Sequence, residues 1–143
     1  MARRTYQLSI VTPERTVYED VVNSVTLPAE GGYLGVWAGH APMVAAVRPG
    51  MVTLYEKTSE QETAHYAVGS GFAEVSDGKM ILIVDHCQLE TDIDAQGAEA
   101  ALERAKELLL RALRGDEDVD VEAAQQAKEF AEAQLHVAYL RGR

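Results

Sequence analysis

The sequence predicts an α+β chain in which an N-terminal antiparallel β-sandwich is followed by a C-terminal antiparallel two-helix hairpin. Up to about Asp85, apolar residues alternate and turn residues recur at short intervals, as in proteins built from many short strands. After Glu90 the apolar spacing changes to three and four residues, which is the period of an amphipathic helix. We therefore divide the chain into a sandwich domain over residues 1–88 and a helical domain over residues 89–143.

The sandwich begins with a strand in which Tyr6, Leu8 and Ile10 alternate with polar residues. Turn residues separate this strand from the further candidates, which are Thr16–Tyr18, Val21–Leu27, Leu34–Trp37, Met43–Val47, Met51–Tyr55, Thr63–Val68, Phe72–Val75 and Lys79–Val84. The pair Asp77-Gly78, between the last two, is the strongest hairpin signal, because a two-residue turn takes positive φ at both positions.

The segment Met80–Val84 departs from this alternation, because all of its residues are apolar. A short apolar run of this kind is typical of a strand that is buried on both faces. We expect one face to lie on the sandwich core and the other to lie under the C-terminal segment.

The helical domain is predicted as two helices joined by a short acidic loop. Thr91, Asp92 and Asp94 are N-cap candidates for the first helix, Gly115 is its candidate C-cap, and Asp120 is a candidate cap for the second. The apolar stripe of the first helix is Ala98, Ala101, Leu102, Ala105, Leu108, Leu109, Ala112 and Leu113, and that of the second is Val121, Ala124, Ala131, Leu135 and Ala138. Alanine buries little apolar area. The composition is therefore compatible with a hairpin that detaches from the sandwich and with one that docks permanently.

Composition and charge exclude several classes of function. The chain has 143 residues and a net charge of −10, whereas nucleic-acid binding calls for a basic patch. One cysteine, Cys87, provides no intrachain disulfide framework. No apolar stretch approaches the roughly 18 residues that span a bilayer, so the chain is expected to be soluble, or peripheral through its partners.

The residues that could carry catalysis or hold a metal have simpler explanations. His86 and Cys87 are adjacent on a strand, where neighbouring side chains point to opposite faces. Asp92 and Asp94 are explained by helix capping. We therefore expect no catalytic residue and no metal site, and a small cysteine hydrolase using Cys87 is a weak alternative.

The run from Gly35 to Met43, followed by Arg48–Met51, contains closely spaced glycines and prolines within strand-forming sequence. This composition indicates rigid, shaped turns rather than a flexible linker. Turns of this kind commonly present a surface, and here a surface for protein partners is favoured. A free-standing sandwich adaptor would satisfy the same observation.

Several short segments together carry a resemblance that covers essentially the whole chain. They are Leu8–Glu14, Glu30–Gly35, Gly39–Pro42, Pro49–Met51 and Gly69–Val75. With the sandwich and the alanine-rich hairpin, they make the chain resemble the epsilon subunit of bacterial and chloroplast F-type ATP synthases, the counterpart of mitochondrial delta.

The resemblance implies a non-catalytic subunit of the central rotor stalk. In that family the sandwich binds the gamma subunit and the membrane ring of c subunits, and it couples proton-driven rotation to ATP synthesis. The hairpin permits turnover when it is folded on the sandwich and blocks ATP hydrolysis when it extends toward the alpha and beta subunits. The implied location is peripheral, on the cytoplasmic face of a bacterial plasma membrane or the stromal face of a thylakoid.

The resemblance also implies residue roles. The turn that begins at Glu30 matches the family's c-ring-facing loop and reads one residue longer than in some relatives, while His40 lies in the turn near gamma. The implied partner-binding residues are Glu30, Gly31, Gly32, Tyr33, Leu34, His40, Pro42 and Met43. The implied regulatory residues of the hairpin are Arg104, Arg111, Arg114, Lys128, Arg141 and Arg143.

The chain departs from the family at its nucleotide motif. Some members bind ATP with Ile or Leu, Asp, two variable residues, Arg and Ala at the start of the first helix. Here Ile93, Asp94 and Ala98 match that pattern, but Gly97 stands at the arginine position. Glycine supplies no fork of donors for phosphate, so we expect no tight ATP binding and no cofactor.

A second departure concerns the inhibitory helix. The segment Val121–Leu140 contains Lys128 as its only lysine or arginine, so we expect weaker electrostatic latching onto acidic catalytic subunits than in relatives with a basic second helix.

Overall fold

The computed structural model describes residues 4–55 and 62–141, together with the side chains of these residues except Glu62, Thr63 and Arg141. The described strands are β1 (Tyr6–Val11), β2 (Thr16–Val22), β3 (Ser24–Ala29), β4 (Gly32–Trp37), β5 (Met43–Val47), β6 (Gly50–Tyr55), β7 (Glu62–Val68), β8 (Gly71–Ser76), β9 (Lys79–Val84) and β10 (Cys87–Leu89). A single 3₁₀ turn, Glu90–Asp92, leads into helices α1 (Ala95–Leu113) and α2 (Val121–Arg141). The predicted order of a sandwich followed by a helical hairpin is confirmed.

The strands form two layers. Sheet A has the order β4-β3-β6-β7-β10, sheet B has the order β5-β8-β9-β1-β2, and the pairing of Ala29 with Val47 joins the two. All strand pairs are antiparallel except β1 with β9, which is parallel. The buried hydroxyl of Tyr6, on β1, donates a 2.7 Å hydrogen bond across the layers to the carbonyl oxygen of Val36, on β4.

The core lies between the two sheets and follows the period of two that strands impose. Its fully buried large side chains include Leu8 and Ile10 on β1, Leu27 on β3, and Met80 and Leu82 on β9. Each of these strands points its intervening residues away from the core, so each sheet also has an outer face.

The prediction that Met80–Val84 is buried on both faces is wrong. Met80, Leu82 and Val84 are buried, but Ile81 and Ile83, on the opposite face of β9, are 37% and 54% exposed. The reason is topological. The helical hairpin packs on β6 and β7 of sheet A, so the described residues place no element over the outer face of β9 in sheet B.

Some predicted strand limits also change. The predicted strands Thr16–Tyr18 and Val21–Leu27 are observed as Thr16–Val22 and Ser24–Ala29, with the break at Asn23. There the chain turns from sheet B to sheet A, and the Asn23 amide donates a 2.9 Å hydrogen bond to the Tyr55 carbonyl. The short strand Cys87–Leu89 was not among the predicted strand ranges, and it pairs with β7 at the edge of sheet A. His86, which was expected on a strand with Cys87, lies in the loop before it.

Two predicted turn signals are confirmed by backbone geometry. Asp77 and Gly78 have φ values of 45° and 77°, as a two-residue turn with positive φ at both positions requires. Gly115 has a φ of 96°. The Gly115 amide bonds the Ala112 carbonyl, and the Asp116 amide bonds the Arg111 carbonyl, which is the Schellman ending of a helix.

The three predicted aspartate caps differ in outcome, and Asp92 lies at the end of the 3₁₀ turn rather than at a cap of α1. Asp120 caps α2, because its Oδ1 accepts hydrogen bonds from the amides of Glu122 at 2.9 Å and Ala123 at 3.2 Å. Asp94 occupies the N-cap position of α1, but its side chain makes no capping hydrogen bond.

Helix α2 lies between α1 and sheet A. Buried alanines recur seven residues apart along the two helices, at Ala98, Ala105 and Ala112 on α1 and at Ala124, Ala131 and Ala138 on α2, and Ala133 on α2 is buried as well. Helix α2 packs against both the strands and α1, so it carries buried residues on more than one side. The predicted stripes are partly wrong, since Leu113 is 65% exposed and Leu108 and Val121 are exposed as well.

Candidate functional site

Helix α2 covers the outer face of β6 and β7 in sheet A. Val137 is fully buried there and belongs to a cluster with Ala67 on β7 and Ile93 before α1, and Met51 on β6 packs against this cluster. The cluster contains several alanines and few large side chains, so it buries little apolar area at roughly 25 cal/mol per Å². This contact is therefore thin for an interface that holds two helices.

Polar contacts edge the same interface. The Arg48 Nη2 donates to both carboxylate oxygens of Glu129, at 2.9 and 3.1 Å, and the Gln125 side-chain amide donates to Glu129 at 2.7 Å. Burial tends to raise the pKa of the Glu129 carboxyl, but its hydrogen bonds and the Arg48 charge outweigh burial and hold that pKa below its usual value. The charge of this pair thus favours the docked hairpin.

Two further contacts join the hairpin to strand β10 and the loop before it. The His86 ring stacks on Phe130 with centroids 5.1 Å apart, and the Gln134 side-chain amide donates to the Gln88 side-chain carbonyl. An open cleft of about 520 Å³ lies beside these contacts, and its lining includes Arg104 on α1 and Asp85 before β10. The docked hairpin therefore leaves an open cleft between α1 and the loop before β10.

The outer face of sheet B presents large apolar side chains that the described residues leave uncovered. They are Val44 at 68%, Phe72 at 60%, Ile83 at 54% and Ile81 at 37% exposure. Phe72 pairs with Ile83 across β8 and β9, and Glu74 pairs with both Val44 and Ile81, so these side chains share one surface. We call this surface the open face, and contiguous apolar patches of this kind mark interaction sites.

Of the predicted turn Glu30–Leu34, Glu30 and Gly31 connect β3 to β4, while Gly32, Tyr33 and Leu34 begin β4. Glu30, Gly31, Gly32 and Tyr33 are exposed and Leu34 is half-buried. The Tyr33 hydroxyl accepts a 3.2 Å hydrogen bond from the Met51 amide. A Cβ on Gly50 would lie 3.1 Å from that hydroxyl and closer still to Pro28, so glycine permits this approach. The hydroxyl thereby ties the β3–β4 turn to the β5–β6 turn.

His40 lies at the opposite end of β4, about 20 Å away for a strand of this length. Its amide donates a 3.1 Å hydrogen bond to the Trp37 carbonyl, and its Nδ1 lies 2.7 Å from the Ala41 carbonyl oxygen. Pro42 is exposed and Met43 is half-buried. Residues that are close in the sequence are therefore divided between two ends of the sandwich.

The cations predicted for regulation have varied surroundings. Arg111 pairs with Asp116 at 2.8 Å, and Lys128 lies 3.5 Å from Glu132 one turn along α2. Arg104 lines the open cleft between α1 and the loop before β10, and Arg114 is exposed at the end of α1. The side chain of Arg141, and Arg143 as a whole, lie outside the described residues.

The residues of the predicted nucleotide motif do not converge on one exposed site. Ile93 and Ala98 are buried, and Asp94 is exposed at the helix start. A Cβ on Gly97 would lie 2.8 Å from the Asp94 carboxylate oxygen.

Cys87 is poorly suited to nucleophilic chemistry. Burial raises the pKa of its thiol to about 12, and the thiolate is the reactive form. Its neighbour His86 is stacked on Phe130. Among the described residues, no group of three or more His, Cys, Asp or Glu side chains is arranged to hold a metal ion.

The open face was missed by the sequence reasoning, although a signal for it was present. The apolar run Met80–Val84 was interpreted as a doubly buried strand, and the same run places Ile81 and Ile83 at the surface.

In the described helices, no segment is both long and apolar enough to cross a membrane.

Comparisons with known proteins give one consistent result. Residues 5–90 match the family described as "ATP synthase, Delta/Epsilon chain, beta-sandwich domain". The ATP synthase epsilon chain of Anaeromyxobacter sp. (strain Fw109-5) is 36% identical over 92% of this chain and 96% of its own length. The ATP synthase epsilon chain of Natranaerobius thermophilus is 35% identical, over 96% of this chain and 95% of its own.

A similar fold occurs in a solved structure. One chain of the cryo-EM structure of the Euglena gracilis mitochondrial ATP synthase, OSCP/F1/c-ring, superimposes with a TM-score of 0.76. The match covers 94% of this chain and 81% of that one, at 24% identity. This likeness concerns the fold.

Proposed function

Because the chain belongs to the delta/epsilon family of F-type ATP synthase subunits, we propose that it is a non-catalytic subunit of the central rotor stalk. It couples rotation of the c-ring to ATP synthesis by joining the ring to the gamma subunit. The observation that carries this proposal is the open face of sheet B, where the apolar side chains of Val44, Phe72, Ile81 and Ile83 are exposed. The catalytic sites of the complex lie on other subunits.

The open face is the docking surface for gamma in this proposal. It lies on the sheet opposite to the one that the hairpin covers, so gamma and the docked hairpin do not compete for the same strands. Large aromatic and branched side chains of this kind dominate interface energetics when they become buried. A firm attachment to gamma is what a rotor subunit needs in order to transmit torque.

The β3–β4 turn is the proposed contact with the c-ring. Its exposed residues Glu30 to Tyr33 are held in place by the hydrogen bond between the Tyr33 hydroxyl and the Met51 amide. Fixing the turn before binding reduces the entropy that association would otherwise lose. His40, Pro42 and Met43, at the other end of β4, extend the gamma contact beyond the open face.

The hairpin is the proposed regulator of ATP hydrolysis. Its contact with sheet A is made mainly by alanines around Val137 and is edged by the Arg48–Glu129 ion pair. Exposed ion pairs contribute at most about 1 kcal/mol, so the docked state is held by small terms. A hairpin held in this way is suited to leave the sandwich and extend toward the alpha and beta subunits.

Gamma binding is tested by size-exclusion chromatography of the full chain with its cognate gamma subunit. The wild-type chain should co-elute with gamma, and Phe72→Asp should abolish co-elution, because it places a charge in the buried centre of the interface. The matched control is Leu110→Asp, which changes a similarly exposed apolar residue on α1 and should leave binding intact. Wild-type affinity in Phe72→Asp would remove the open face from the proposal.

Regulation is tested separately by truncating the chain after Asp92. The assembled complex that contains the shortened chain should hydrolyse ATP faster than the wild-type complex, while gamma binding persists. Unchanged hydrolysis with normal assembly would leave the hairpin without an inhibitory role under those conditions.

Tight ATP binding is not part of the proposed function. The buried Ile93 and Ala98 and the missing arginine at Gly97 support this exclusion. Isothermal titration of the full chain with ATP should show no saturable binding at micromolar concentrations. A saturable micromolar response would contradict the exclusion.

As part of a membrane-associated complex, the chain is peripheral to the membrane. We place it on the cytoplasmic face of a bacterial plasma membrane, or on the stromal face of a thylakoid for a plastid copy.

A further inference from the structure

A single acidic residue lies in the middle of the open face. Glu74 on β8 pairs with Val44 on β5 and with Ile81 on β9, and both of these neighbours are exposed and apolar. Phe72, two residues earlier on the same strand, points to the same side. The carboxylate of Glu74 is therefore surrounded by the side chains that a docking partner would bury.

A carboxylate in this position is costly for an interface that is apolar throughout. When a partner covers Val44, Phe72 and Ile81, it removes water from Glu74 as well. An ionised carboxylate without a partner loses much of its favourable hydration free energy on leaving water. The site is consistent with tight docking only if a positive charge faces Glu74 in the complex.

The described residues of this chain do not supply that charge. Lys79 is on the same outward side of β9, but it pairs with Ser76 rather than with Glu74. In residues 4–55 and 62–141, no ion pair is recorded for Glu74 or for Lys79. Lys79 also lies toward the β8–β9 turn, near the rim of the face, where a side chain keeps its water.

We propose that Glu74 is a specificity residue of the open face, and that the gamma surface covering this face presents a lysine or arginine side chain to it. This inference rests on the proposed function, because it assumes that gamma is the occupant. The apolar side chains provide most of the affinity. The Glu74 pair fixes the register of the two surfaces and rejects surfaces that are merely apolar or acidic.

The test measures the dissociation constant of the full-length chain for its cognate gamma subunit in Glu74→Leu and Glu74→Gln variants. Leucine removes the charge and adds apolar area. It should therefore weaken binding if gamma faces Glu74 with a cation, and strengthen binding if gamma faces it with an apolar surface. If gamma faces Glu74 with a cation, Glu74→Leu should weaken binding by about 30-fold or more and should reduce its dependence on salt. Glu74→Gln should weaken binding less, because an amide oxygen still accepts a hydrogen bond.

The matched control is Glu19→Leu. Glu19 is an exposed glutamate on β2 that pairs with Ser9 in the same sheet, outside the group of exposed apolar side chains. It should change the dissociation constant by less than about threefold, as expected for a rim charge. Glu74 and Glu19 are both exposed, so thermal unfolding should be nearly unchanged in either variant.

The outcomes separate this inference from the proposed function. Equal or tighter binding by Glu74→Leu, with binding still lost in Phe72→Asp, would overturn the role of Glu74 and leave the docking face in place. Wild-type affinity in Phe72→Asp would overturn the docking face itself. In the supporting result, Glu74→Lys binds wild-type gamma weakly, and an acidic replacement of one basic residue on gamma restores its binding.

Discussion

The two sheets of the sandwich have outer faces of opposite character. On sheet A, Ala67 and Met51 lie under α2, and the contact is made mainly by alanines. On sheet B, Phe72, Ile81 and Ile83 are large and remain exposed. Large apolar side chains are thus on the face that this chain leaves open, and the smaller ones are on the part of sheet A that α2 covers.

This difference indicates how the molecule separates two tasks. Burial of apolar area scales with side-chain size, so the open face can support a lasting attachment to another subunit. The alanine contact stabilises the docked helices less, so separating them from sheet A costs less free energy. A rotor subunit that also regulates needs both properties, and the two sheets provide one each.

The largest expected effect is on the free energy of unfolding, and it compares the two faces of strand β9. Leu82 is fully buried in the core, whereas Ile83 is 54% exposed on the open face. Leu82→Ala should lower the free energy of unfolding by about 2–5 kcal/mol, and Ile83→Ala by less than about 1 kcal/mol. Urea unfolding measures both.

The order should reverse for gamma binding, where Ile83→Ala should weaken association and the folded Leu82→Ala chain should bind normally. If both variants lost similar stability and similar affinity, the distinction between core and open face would be wrong.

The next effect concerns the covered face. Val137 on α2 is fully buried against sheet A, and an aspartate there would be an unpaired buried charge. The proposed regulation requires the hairpin to leave the sandwich, so Val137→Asp should release it rather than unfold the β-sandwich. Hydrogen exchange should show loss of protection in α1 and α2, with the β-strands still protected.

The exposed position Leu110 again provides the control, since Leu110→Asp should keep the hairpin protected. Loss of strand protection in Val137→Asp would mean that the hairpin and the sandwich form one cooperative unit.

Local features of the fold could be predicted from the sequence because local chemistry decides them. Asp77-Gly78 forms its turn through backbone preferences of two residues, and Gly115 and Asp120 complete helix ends through their nearest neighbours. The alternation of Tyr6, Leu8 and Ile10 likewise decides which side of β1 meets the core.

The site was harder to predict because long-range packing decides it. Nothing local to Met80–Val84 reveals whether the hairpin covers sheet A or sheet B. That choice depends on contacts of Val137 with Ala67, which are distant in the sequence. The division of Tyr33 and His40 between two ends of β4 also depends on strand direction, which spacing alone does not reveal.

A smaller effect is expected from the ion pair at the edge of the covered face. Arg48 and Glu129 are joined at 2.9 Å, with their side chains 47% and 19% exposed. A double-mutant cycle with Arg48→Ala and Glu129→Ala should give a coupling free energy of at most about 1 kcal/mol for hairpin docking. Added salt should reduce this coupling. A salt-independent coupling of several kcal/mol would show that the covered face is held by charge rather than by its alanines.

The smallest effect is the pH dependence of docking. Burial tends to raise the pKa of the docked Glu129 carboxyl, and Gln125 and Arg48 together hold it below its usual value. Gln125 belongs to the same helix, so Arg48 is the pKa-lowering contact that release of the hairpin removes. A lowered pKa adds stability that is fully present above the pKa of the released group and is lost as pH falls through the docked pKa. Acid should therefore favour release of the hairpin. As the pH is lowered, fluorescence energy transfer between dyes on the sandwich and on α1 should decrease more in the wild-type chain than in Glu129→Gln. Equal pH profiles would assign the acid response to other carboxylates and leave the two faces distinguished by apolar packing alone.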